Sequence, residues 1–408
     1  MSGYDVFSVR GLYTSLGDGW TYLNAHTCPQ IPERVSSAVA RSFRLSTAVS
    51  PVEKGGSHAK QRAAGTPEGD GFAQQARVAV ADLVGATADS VILGPSLNVL
   101  YSQLARAMRP MWRRGSSVVL SGLDGPEFTA PFAEGPASEI RWAVPDLGTG
   151  QLPGFQYRDL VDGSTRLVSF SAAQGEIGSV ADIEQITEDV RSRSRAWVLV
   201  DASSLAPSRP LDIHDLNVDI LGIDLAQLGG PQISALVFRD PLMFRRLGDV
   251  VPGVDLRASS VVSAGLAGGV APTIDHLAAL TDSTGTRRQQ LVASMTALSG
   301  YMRTLRDDLY LYLDSLESVH IVGVTGEAAA GAGKDRLPRL SFAVNGVPAE
   351  TVQRRLVDNG LVTALAPASA LMEDMGVADI GGAVTVGLGP FNTTHDVNQL
   401  IRAVASLA

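Results

Sequence analysis

Three aspartates and one histidine, Asp124, Asp201, Asp224 and His26, are the residues of this 408-residue chain whose types could combine into acid–base chemistry. Carboxylates gathered in a partly buried cleft shift one another's pKa values, because burial and each neighbouring charge disfavour ionisation. Nothing in the sequence favours a particular substrate for such a set. Metal and nucleophile chemistry find no pattern. The histidines (His26, His58, His214, His276, His320 and His395) show no metal-ligand spacing, and no Gly-x-Ser-x-Gly nucleophile elbow occurs. Cys28 is the only cysteine, so neither an internal disulfide nor a cysteine-rich metal site can form. It reads as a small core residue. The amines are few: Lys54, Lys60 and Lys334 are the only lysines. The loop TGEAAAGAGKD (Thr325–Asp335) fails the phosphate-loop pattern, since Asp335 follows Lys334 where Ser or Thr is required. It reads as a surface loop between strands.

The elements that must position these residues follow from short apolar runs. Ser90–Leu93, Ser117–Leu120, Ile140–Ala143, Thr165–Phe170, Trp197–Asp201 and Ile220–Gly222 read as strands. Helical stretches separate most of them, near Asn98–Met108, Gly125–Phe132 and Asp182–Ser194. Strands spaced by helices predict an α/β fold with a large, doubly wound, mostly parallel sheet. Before it, Trp20–Phe43 reads as a strand, a loop and a helix opened by Pro32, then a loop over 49–71 and a helix near 71–86. Ser263–Leu280 reads as one apolar helix containing Gly268 and Gly269, and Thr281–Leu316 as a long linking helix. Strands at Val319–Val324, Arg339–Val344, Leu361–Ala364 and Ala383–Leu388, with helices Ala349–Asn359 and Thr394–Leu407, predict a smaller α+β C-terminal domain. The expected division is an arm over 1–20, a large domain over 21–284 and a small domain over 285–408.

Composition sets outer bounds. The chain is 45% hydrophobic and 18% charged, ordinary for a globular protein. Its net charge of -9 argues against general binding of nucleic acid or acidic membrane surfaces, which need a basic face. No run is long and apolar enough for a transmembrane helix, and the N-terminus lacks a signal-peptide order. A cytoplasmic protein is the expectation.

Four segments, in order, carry a resemblance. They are YLNAHTCPQIP (Tyr22–Pro32), SAAQGEIGSVADI (Ser171–Ile183), WVLVDASSLAPSRPLDI (Trp197–Ile213) and VTVGLGPFNTTHDVNQLIRAV (Val384–Val404). Together they resemble the class V aminotransferase and cysteine desulfurase family, of pyridoxal-phosphate fold type I. The resemblance implies an aspartate-aminotransferase-type large domain, a homodimer, and a cofactor pocket. In that pocket it places Asp201 against the pyridine nitrogen, Ser96 and Asn98 at the phosphate-binding helix start, Ser204 beside the ring, and Ser260 reaching the phosphate from the neighbouring subunit. Ser96 and Asn98 are equally readable as N-cap residues, and Asp201 as a turn aspartate.

The same resemblance exposes what is missing. In VDILGIDLAQLGGPQISALVF (Val218–Phe238), Gln227 stands where the family carries its Schiff-base lysine. A carboxamide nitrogen is delocalised into its carbonyl and cannot form an imine. Asp224 replaces a phosphate-facing serine, Gly125 the ring-stacking histidine, Ala172 an asparagine, and Thr385 the substrate-clamping arginine. The loop Ala364–Ala378 lacks the desulfurase cysteine, which rules out cysteine desulfuration. The expectation is a pseudoenzyme with no covalent cofactor and no assigned catalytic residue, binding a protein partner or a small ligand in the remodelled cleft. The alternative is an unconventional enzyme holding pyridoxal or pyridoxamine phosphate noncovalently for work on an amino compound.

Overall fold

The computed structural model describes residues 4–49, 65, 67–135 and 139–407. Lys54, His58, Lys60 and most of the expected 49–71 loop lie outside the described residues. Apolar runs rich in Val, Leu and Ile become strands buried on both faces, as a sheet covered by helices on each side requires, except for the largely exposed edge strand Glu139–Ala143. These are β2 (Val91–Gly94), β3 (Ser117–Ser121), β4 (Glu139–Ala143), β5 (Thr165–Ser171), β6 (Trp197–Asp201), β7 (Ile220–Asp224) and β8 (Ser234–Phe238). They form one sheet in the order β2-β8-β7-β6-β5-β3-β4, parallel throughout except for β8. The sequence reading passed over β8. Its run SALVF follows Gly229, whose positive φ of 72° and tight approach to the Gln30 backbone turn the chain sharply, so the strand returns antiparallel beside β7.

Helices α1 (Glu33–Leu45) and α2 (Glu68–Val84) precede this sheet; α3 (Leu97–Ala107), α4 (Pro126–Ala133) and α5 (Ile183–Arg193) connect its strands. The expected single helix over Ser263–Leu280 is instead broken: Ala264–Ala267 and α6 (Val270–Ala278) meet at Gly268 and Gly269. Any side chain at either glycine would collide with Ser42 or Val39 of α1, so close packing rather than helix propensity decides these residues.

Next comes α7 (Arg287–Asp314), whose Leu291, Met295, Leu298, Met302, Leu305, Leu309 and Leu313 form a buried stripe at three- and four-residue spacing. A capping box closes its start: Thr286 accepts from the Gln289 N–H while the Gln289 side chain accepts from the Thr286 N–H. Thr286→Ala is therefore expected to cost about 1 kcal/mol, read as a lowered thermal midpoint without loss of fold.

The C-terminal strands are β9 (Val319–Ile321), β10 (Arg339–Val344), β12 (Ala364–Leu365) and β13 (Val384–Gly387), antiparallel in the order β12-β13-β10-β9. The stretch expected as one strand from Leu361 to Ala364 divides. Its first half, β11 (Leu361–Val362), leaves that sheet and pairs in parallel with β1 (Thr21–Tyr22). Helices α8 (Ala349–Asp358) and α9 (Thr394–Ala405) accompany these strands. Cys28 is not a core residue but exposed, in the turn after β1 where the Tyr22 hydroxyl donates to its carbonyl. The loop after β9 is anchored by a two-pronged ion pair between Arg209 and Asp335. Among the described residues no helix is long and apolar enough to cross a membrane.

Candidate functional site

The parallel strands end in polar residues on one side of the sheet. β5 closes on Ser171, β6 on Asp201 and β7 on Asp224. The register pairs Ser171 with Asp201 and Asp201 with Gly222, so these ends lie side by side. Ligands of open α/β sheets bind in the crevice outside such carboxyl ends. Here the crevice widens into a cavity of about 1260 Å³.

This cavity gathers most of the positions named from sequence. Asp201, Ser96, Asn98, Ser204 and Gln227 all line it, as do Asp124, Asp224 and His26. Ser260 does not. Its hydroxyl donates to the Gln103 side chain at 2.7 Å, outside the cavity of a single chain. Thr385 is also absent: it is fully buried, its hydroxyl 2.7 Å from that of Ser341.

Local hydrogen bonds settle what each side chain has left to offer. Asp201 accepts from the Ser203 N–H at 2.8 Å, the turn role open to it, while still facing the cavity. Ser96 sits at the N-cap of α3 yet caps nothing; its hydroxyl donates to Asn98 Oδ1, which also accepts from the Val99 N–H. Asp224 caps the short turn containing Gln227, accepting from the Ala226 N–H at 3.1 Å and from the Ser234 hydroxyl at 3.4 Å. The hydroxyls and amides at this end of the cavity are thus turned onto a carboxylate and a carboxamide oxygen. Gly125 presents no side chain, and the Glu127 carboxylate packs over its backbone.

Among the cavity residues that escaped the sequence reading are Arg339, Glu127, Glu176 and Gln174. Arg339 opens β10, is 7% exposed, and donates to the carbonyls of Gly175 at 3.1 Å and Ser204 at 3.2 Å. It is the one arginine among the lining residues. The available signal was a guanidinium two positions before Ser341 in the apolar run RLSFAV, which puts both on one face of the strand.

Charge dominates the site. Five carboxyl groups, from Asp124, Glu127, Glu176, Asp201 and Asp224, face one guanidinium. Burial raises the Asp124 pKa to about 7, with the Asp201 and Glu127 charges adding to it and Ser171 opposing. Its Oδ1 is sealed from solvent without a hydrogen-bond partner. Burial likewise raises Asp201, helped by Asp224, and raises Asp224 and Glu176. Desolvation lowers Arg339 to about 10, with Glu176 supporting its charge. His26 is pushed down to about 3 by burial and by Arg339, so it is neutral near pH 7. Among the described residues no group of three or more His, Cys, Asp or Glu side chains is arranged to hold a metal ion.

Comparison with known proteins matches residues 21–400 to the aminotransferase class-V family model. The chain is 38% identical to uncharacterized protein MT3887 of Mycobacterium tuberculosis, over 99% of each chain. It is 25% identical to the aminotransferase-like protein FGM3 of Gibberella zeae, over 80% of each. Among solved structures, the cysteine desulfurase CsdA of Escherichia coli superposes with a TM-score of 0.78 at 17% identity, covering 99% of this chain and 98% of that one. Identity that low speaks for the fold alone.

Pyridoxal phosphate is the cofactor this kinship implies, and the residues present do not fit it. Gln227 offers no amine for an imine. Where the resemblance places the phosphate, Asp224 would set a carboxylate against a dianion, costing on the order of 1 kcal/mol per unit-charge pair at about 4 Å in water and more in a drier site. Of the charged partners the resemblance implies, Asp201 is the one that lines the cavity.

Proposed function

The chain belongs to the class-V aminotransferase family, and within it we propose a protein that has given up Schiff-base chemistry and works by binding. Its ligand is a small amine-bearing molecule taken into the remodelled cleft. The carrying observation is the exchange at the cavity floor: Gln227 and Asp224 stand where an amine and an anion-binding hydroxyl are expected, and Asp224 consumes the nearby donors. An ammonium group is the natural complement of a cavity whose carboxyls outnumber its cations, since charge-assisted hydrogen bonds would satisfy acceptors such as Asp124 Oδ1. Arg339 keeps guanidinium N–H groups for a carboxylate on the same ligand.

Thermal shift measurements divide this reading from noncovalent cofactor use, which the position of Asp201 in the cavity lining favours. A diamine or a basic amino acid at about 100 times its Kd is expected to stabilise the chain by roughly 2.7 kcal/mol, a rise of several degrees. Pyridoxamine phosphate at large excess is expected to leave the midpoint unchanged. The opposite pattern would hand the site to the noncovalent cofactor. The proposal also takes the chain as a cytoplasmic homodimer divided near residue 285, with Ser260 serving the partner's cavity; sedimentation as a monomer would remove that role for Ser260.

A further inference from the structure

A second cleft, of about 750 Å³, lies at the far ends of the same two helices that open onto the main cavity. The N-termini of α3 and α4 contribute Asn98, Pro126 and Glu127 to the main cavity. Their C-terminal turns contribute Arg106, Pro131 and Glu134 to the second cleft, joined by Arg109, Arg113 and Arg114 from the loop into β3. Four guanidiniums therefore surround one carboxylate. They come from RAMRPMWRRG (Arg106–Gly115), where a short turn at Arg109–Met111 and Gly115, with φ 80°, fold the basic residues back on one another.

Several arginines of this protein are matched with carboxylates: Arg141 with Glu139 and Asp162, Arg191 and Arg239 with Asp219, Arg287 with Asp82 and Asp275, Arg288 with Asp212. Among the described residues, none of the four cleft arginines makes an ion pair. Trp112, between them, has an indole N–H that is buried and finds no acceptor.

The ordinary use of an arginine here is to neutralise a helix C-terminus. That use does not account for four. Two helix ends supply about half a negative charge each, and Glu134 one more, so the four guanidiniums leave roughly two positive charges uncompensated. In a chain of net charge -9 this local excess of positive charge gives the cleft an attraction for anions that the rest of the surface lacks. Guanidiniums rather than ammoniums line the cleft, and their forked donors suit phosphate and carboxylate oxygens. The volume lies within the range of small-molecule sites, and the overall negative charge disfavours a nucleic acid.

We propose that this arginine cleft is a binding site for a small polyanion carrying two or more phosphoryl groups, separate from the main cavity and independent of what that cavity holds.

Calorimetric titration of the full chain with inorganic tripolyphosphate tests it. Saturable binding is expected, weakened roughly tenfold or more in Arg109→Ser/Arg113→Ser and falling with added salt. Both side chains are exposed and unpaired among the described residues, so the variant should keep the native melting midpoint. Absence of binding at millimolar tripolyphosphate would overturn the proposal. So would binding that the variant leaves intact, which would place the anion elsewhere. Binding of an acidic peptide without any response to tripolyphosphate would assign the cleft to a protein partner and overturn it equally.

Discussion

The double variant Asp224→Ser/Gln227→Lys is expected to retain pyridoxal phosphate covalently, where the native chain retains none. Two separate obstacles are removed. The lysine restores an amine at the turn that faces the cavity, the one group able to form an imine. The serine removes a carboxylate whose repulsion of a phosphate dianion amounts to roughly 2 kcal/mol even at the dielectric of water, or about thirtyfold in affinity. Serine is also a competent cap, so the turn that now uses Asp224 to accept the Ala226 N–H keeps its closure. Mass spectrometry after borohydride reduction reads the outcome directly. The single variant Gln227→Lys should show a minor adduct, the double variant a major one. An adduct mapped to the native pocket would end the reading of Gln227 and Asp224 as incompatible with the cofactor.

Asp124 gives the second large effect, in stability against pH. Its folded pKa of about 7 lies above the value of an unfolded aspartate, about 3.9. Between these values the unfolded chain has released a proton that the folded chain still holds. Stability linked to this group is therefore complete at low pH, falls as pH rises from about 4, and is spent above about 7. Three pKa units correspond to roughly 4 kcal/mol, an upper bound because the cavity admits water. Asp124→Asn should remove most of that slope and raise the melting midpoint at pH 8 by several degrees. The upward shifts of Asp201 and Asp224 act with the same sign, so the variant is expected to reduce the slope without abolishing it. His26 and His276, lowered by burial, act with the opposite sign, so the native-minus-variant difference isolates Asp124: a difference that stays constant from pH 5 to pH 8 would contradict its raised proton affinity.

The architecture was largely legible in the chain because its determinants are local. Runs such as WVLVD and the three- and four-residue stripe along α7 state their own conformation before any partner is present. Errors arose where packing outranked propensity. Gly268 and Gly269 break a helix to admit α1, and one apolar stretch near Leu361 is split between two sheets by the competing pull of β1. Residue type alone puts Cys28 in the core, although it lies in an exposed turn.

The sequence by itself determined that Gln227 cannot form an imine, since a carboxamide nitrogen is delocalised in any fold. It also determined the strand ending on Asp201, whereas the strand read as stopping at Gly222 runs on to Asp224. Only the tertiary structure decided the charge of the crevice. Arg339 reaches carbonyls 164 and 135 residues away in the chain, and no local pattern records a contact over such separations. The same holds for Asp124, whose proton affinity depends on burial and on Asp201 beyond it, both created only when the sheet closes.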